Sequence, residues 1–167
     1  VSQSLKQKIS ELVSKANSLY NYYVPSFTYL RIQVDSKTIT DIVNNQIRAV
    51  SPSVYWLPLD NAYYTTTKED FYKIIGWDWT DTRRYLYDMF DCDKFAMYFK
   101  ARTAINFGIN AIGVVIDYAS GHAYNLVILR EGSDYKWYLF EPQNDKLFTY
   151  ENRNQYLYAF RNAVLLL

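Results

Sequence analysis

Asp91-Cys92-Asp93-Lys94-Phe95-Ala96 opens a helix, and the run from Ala111 to Glu141 that follows it has the patterning of strands. Along the helix Cys92, Phe95, Ala96, Phe99 and Thr103 fall on one face, and Gly108 is placed to end it. Ala119-Ser120-Gly121 and Glu131-Gly132-Ser133-Asp134 read as turns, leaving strands over 111–118, 122–130 and 136–141. An apolar helix stripe is buried by covering an apolar sheet face, so the expected class is α+β, with helices first and a strongly twisted antiparallel sheet after them.

Working outward, Leu5, Ile9, Leu12, Val13, Ala16 and Leu19 recur at intervals of three or four, which predicts an amphipathic helix over 4–23 that packs on the rest of the domain. Phe27 to Val34 alternates as a half-exposed strand does, and Asp41 to Val50 suits a short helix. Pro52 and Pro58 bracket an extended apolar segment, and 60–67 reads as a loop over a site. Lys68 to Gly76 reads as a helix, with another from Thr80 or Asp81 to Phe90. Leu147 to Tyr150 and Ala159 to Leu167 add a last strand or two. One domain spanning 1–167 is expected, with no internal repeat or linker.

The formal net charge is +1, from 18 basic and 17 acidic residues that are intermixed, which argues against nucleic acid or an anionic membrane as partner. No apolar run approaches the roughly 18–20 residues that span a bilayer, and the first residues lack the pattern of a signal peptide. A single cysteine excludes an internal disulfide and a four-cysteine zinc site, and favours a reducing intracellular compartment or a virion over a disulfide-rich secreted setting. Tyrosine is abundant, at 18 residues, and suits binding surfaces as well as cores.

The only cysteine, Cys92, stands at a helix start, and the only histidine, His122, at a strand start. If Arg130 faces Tyr135 across the second turn, or nearly so, His122 lies opposite Glu141, Pro142 or Gln143. Imidazole and carboxylate then meet at the open end of the hairpin. A helix N-terminus and an imidazole are what make a thiol nucleophilic, with a third group to orient the ring. Cys92, His122 and Glu141 are therefore candidate catalytic residues, with Gln143 and Tyr85 on the substrate or oxyanion side. Asp91 and Asp93 oppose a thiolate unless Asp91 caps the helix through its side chain and Asp93 points out or binds a cation. Each residue also has an ordinary reading: a core thiol, a hydrogen-bonded imidazole, a surface carboxylate.

Phe90-Asp91-Cys92-Asp93-Lys94-Phe95-Ala96, Gly121-His122-Ala123-Tyr124-Asn125 and Phe140-Glu141-Pro142-Gln143-Asn144-Asp145 resemble the blocks of a papain-like cysteine protease family. It is the family of the Marasmius oreades agglutinin C-terminal type, a domain of a fungal lectin, with related phage and viral proteins. The resemblance covers about residues 77–145. It implies a papain-like (transglutaminase-like) fold and a thiol peptidase in which Cys92 attacks, His122 moves the proton and Glu141 orients the ring, with a thioester intermediate and a peptide or protein substrate. By resemblance alone, calcium is implied, with Asp91, Asp93 and Asp145 as ligands. The lectin repeats are absent, so sugar binding is not expected to carry over. The alternatives are an amidase or transglutaminase-type acyl transferase, and a non-catalytic viral structural or host-interaction protein that keeps the fold.

Overall fold

The computed structural model describes residues 3–23 and 25–167. Helix α1 (Gln3–Tyr23) is followed by β1 (Ile32–Val34) and α2 (Ser36–Ile42), which runs through a π-helical turn (Val43–Ile47) into α3 (Arg48–Val50). Then come β2 (Tyr55–Leu57), β3 (Tyr63–Thr65), α4 (Lys68–Trp77) and α5 (Cys92–Phe107). The C-terminal half supplies β4 (Ile112–Asp117), β5 (His122–Glu131), β6 (Asp134–Glu141), β7 (Lys146–Phe148) and β8 (Ala163–Leu166).

Six strands form one sheet in the order β2-β8-β4-β5-β6-β7, and β1 pairs with β3 in a separate ribbon. Arg130 pairs with Tyr135 and Glu131 with Asp134, leaving Gly132 and Ser133 as a two-residue turn in which Gly132 takes a positive φ of 61°. All neighbours in the large sheet are antiparallel except β2 and β8, which are parallel, so the sheet is mixed rather than wholly antiparallel. The parallel edge is possible because the long stretch between β2 and β8, which includes α4 and α5, serves as the crossover that parallel neighbours need.

Strand β5 explains the layering. Tyr124, Leu126 and Ile128 point to one face and Val127 and Leu129 to the other, and all five are buried. The first set joins Ile39, Ile42, Val43 and Ile47 from α2 and its π-turn, and the second joins Phe71, Ile74, Phe99 and Phe107 from α4 and α5. Helices thus cover both faces, and a near-continuous apolar strand is the signature of that arrangement.

With both faces covered, none is left for α1. Every residue from Ser4 to Leu19 is exposed, with Ile9 at 50% and Leu12 at 66%, which corrects the expectation that this helix packs on the domain. Three further expectations shift. The loop over 60–67 contains β3, whose Tyr63 is buried and pairs with Val34. The helix predicted to begin near Asp41 begins at Ser36, because Asp35 accepts the Thr38 backbone N–H at 2.7 Å as its N-cap. Residues 80–90 form turns rather than a helix: Asp88 has φ 58°, Leu86 bridges to Phe90, and Arg83 stacks over Trp79 at 4.3 Å. Aromatic packing there outweighs local helix preference.

Candidate functional site

The short connection from Gly108 to Ala111 sends β4 back alongside α5, so β5, antiparallel to β4, runs in the same direction as the helix. The starts of α5 and β5 and the end of β6 therefore lie at one end of the molecule, and with them Cys92, His122 and Glu141. Asn125 fixes the spacing between layers: its Nδ2 donates to the Ala96 carbonyl at 2.9 Å and the Gly113 carbonyl at 3.0 Å.

His122 Nε2 and Glu141 Oε2 are hydrogen bonded at 2.7 Å. The same oxygen accepts the Tyr158 hydroxyl at 3.0 Å, and Oε1 accepts the Gln143 backbone N–H at 3.1 Å. Because both oxygens act as acceptors, the proton of the ring contact sits on Nε2, which leaves Nδ1 without a protein partner among the described residues. Glu141 is only 3% exposed at its side chain, His122 18%. The imidazole packs on Tyr124 and Tyr158, with centroids 5.8 and 5.5 Å away. Burial first, and then the Glu141 carboxylate, push the Tyr158 hydroxyl above its ordinary pKa, so it stays a donor. Burial likewise raises Tyr124, whose hydroxyl donates to Asp117 at 3.1 Å.

Cys92 occupies the first position of α5 and is half-buried. Among the described residues its sulfur makes no hydrogen bond, to His122 or to any other group. Asp91 sits at the N-cap position without a side-chain cap bond. Its carboxylate instead meets Lys94 Nζ at 3.3 Å, and Asp93 meets the same ammonium at 2.9 Å. A hydrogen bond with Asp93, and then Lys94, hold the Asp91 carboxyl below its usual range. Tyr85, 48% exposed, stacks on Phe95 at 6.3 Å beside the start of the helix. Gln143 follows the end of β6 and is half-buried.

The residues named as calcium ligands do not form one donor set. Lys94 occupies Asp91 and Asp93, whereas the charges that act on Asp145 are those of Asp81 and Asp78. Among the described residues, no three His, Cys, Asp or Glu side chains are grouped to hold a metal. Asp145 has a backbone φ of 55° and a buried Oδ1 without a hydrogen-bond partner. Burial, reinforced by the Asp81 and Asp78 carboxylates, pushes its pKa up to about 7.

Two groups that complete the site were not singled out in the sequence. Tyr158 lies in a non-periodic segment with no motif around it. Asn125 stood inside the quoted Gly121–Asn125 block, but its tie to Ala96 depends on how the layers meet.

A family model described as "Ricin-type beta-trefoil lectin C-terminal domain" matches residues 32–160. Among solved structures, the PSL1a-E64 complex is 21% identical with a TM-score of 0.59, over 81% of this chain and 51% of that one. Polyporus squamosus lectin bound to the human-type influenza-binding epitope Neu5Aca2-6Galb1-4GlcNAc is 19% identical with a TM-score of 0.57, over 81% and 49%. The chain thus spans about half the length of each, and at these identities the likeness is one of fold. A comparison with curated proteins finds no match. The lectin family match overturns the expectation of a cysteine peptidase, hydrolase or thiol protease working through a Cys92-His122-Glu141 triad. The chain belongs to the family of ricin-type β-trefoil lectin C-terminal domains.

Proposed function

We propose that this chain is a non-catalytic recognition module of a lectin-type protein, using the end of the sheet around His122 to contact carbohydrate. Family membership over residues 32–160 is the observation that carries this reading. The local chemistry is suited to it. Sugars present hydroxyls that need donors and acceptors, and C–H faces that settle against aromatic rings. The open Nδ1 of His122, the side-chain amide of Gln143 and the hydroxyls of Tyr85 and Tyr118 offer the first. The exposed rings of Tyr85 and Tyr118, at 48% and 65%, offer the second. The hydrogen bonds on Glu141 hold His122 in a single orientation, which lowers the entropy lost on binding. In this reading the α+β layout is a papain-like scaffold kept without its activity, supported by helix α5 standing ahead of the strands that bear His122 and Glu141.

The test is a calorimetric titration of the chain with neutral and sialylated oligosaccharides, repeated on Tyr85→Ala and Gln143→Ala. Binding that weakens about tenfold in each variant, the effect of one lost contact of about 1.4 kcal/mol, supports the reading. Absence of binding to every sugar, together with peptide cleavage that disappears in Cys92→Ala, would overturn it.

A further inference from the structure

We propose that α1 is a docking helix for a partner protein: it receives an amphipathic helix with acidic flanks as the second strand of a coiled coil. The helix lies outside the family-matched residues 32–160, and the proposal is independent of the carbohydrate reading.

An isolated helix of this length and composition is marginal in water, because its nucleus is costly and its stability comes from burying an apolar face. Here nothing is buried from Ser4 to Leu19. The apolar residues are nonetheless ordered as a seam. Ile9, Leu12, Ala16 and Leu19 are spaced three, four and three apart, which places Ile9 and Ala16 at heptad position a and Leu12 and Leu19 at d. β-Branched Ile at a with Leu at d is the pattern of two-stranded pairing.

The charges choose the occupant. Lys8 and Lys15 fall at g and Lys6 at e, all bordering the seam, whereas the one acid, Glu11, falls at c. Gln7, Ser10, Ser14, Asn17 and Ser18 fill the rest of the far side, where Glu11 is the one charge. Ion pairs across a coiled coil form between e and g positions. A second copy of α1 offers no acid there, and in an antiparallel pair it would set Lys8 against Lys15. A helix with Glu at e and g pairs all three lysines. The polar side, of Gln, Ser and Asn, lacks the basic residues of a helix that lies flat on a membrane.

The test uses the full chain and two synthetic heptad peptides with Ile at a and Leu at d, one carrying Glu at every e and g position and the other Lys. The expected result is that the Glu peptide binds about tenfold or more tightly than the Lys peptide and weakens as salt rises from about 0.05 to about 0.5 M. Leu12→Asp should abolish binding, and the double variant Lys8→Glu/Lys15→Glu should reverse the preference. Neither substitution touches the buried core, and an unchanged thermal midpoint confirms that the domain is intact. Equal binding of both peptides, or none, overturns the proposal. So does a dimer in sedimentation that Leu12→Asp dissociates, which would make the occupant a second copy, or binding confined to phosphatidylserine vesicles, which would make it a membrane.

Discussion

Glu141 holds more of the site together than its side-chain type suggests, because one buried carboxylate accepts from His122, Tyr158 and the Gln143 backbone. Replacing it with leucine keeps the volume but strands three donors, and each buried unsatisfied group costs about 1–3 kcal/mol. Glu141→Leu is expected to lower unfolding free energy by about 3 kcal/mol in urea titrations, with His122 losing its fixed orientation. Asp145 works the other way. Its carboxyl has an ordinary value near 3.8 and is raised to about 7 in the folded chain, so the folded state binds the proton more tightly than the unfolded one. The resulting stabilisation is fully present below pH about 4 and is lost as pH climbs through about 7. Asp145→Asn should flatten that slope and stabilise the protein at pH 8 by about 1 kcal/mol, a value discounted for partial exposure. Thermal melts of both proteins between pH 4 and pH 8, at intervals of about one unit, check the sign.

At the scale of elements, the regular periodicities could be read from the sequence and the irregular ones could not. Helix α5 ends at Gly108 with φ 64°, as its position predicted, and β4, β5 and β6 fall where the turns placed them. The turn between β5 and β6 also fixed which residues face one another, so the meeting of imidazole and carboxylate could be anticipated. Residues 80–90 defeated the reading because the chain there is held by rings: Phe90 on Phe95 at 4.7 Å, Arg83 on Trp79 and Tyr98. Two of these contacts tie the segment to α5, and no local period announces them. The role of Gly113 was equally hidden. A Cβ at this position in β4 would come within 2.5 Å of Leu165 Cδ1 and 3.3 Å of the Leu166 carbonyl oxygen, so the Leu165 side chain would have to shift to admit one. Gly113→Ala is expected to cost about 1–3 kcal/mol through overpacking, and pairing Gly113→Ala with Leu165→Ala in a double-mutant cycle should recover part of that loss.

For the whole molecule, the sheet is enclosed between two helical layers, and the carbohydrate site proposed at its end and the docking role proposed for α1 both lie outside that enclosed core. The three residues singled out as a triad do gather at that end, yet the family is one of lectin C-terminal domains. Sequence blocks around Cys92, His122 and Glu141 carry architecture, since they sit where helix and strands begin and end. They do not by themselves carry activity, which requires the sulfur and the ring to act on one another. The most direct measurement is a glycan array probed with the wild-type chain and with Cys92→Ala side by side. Retention of the same carbohydrates by both, with equal intensity, is the predicted result; a wild-type chain that retains no carbohydrate on the array would contradict it.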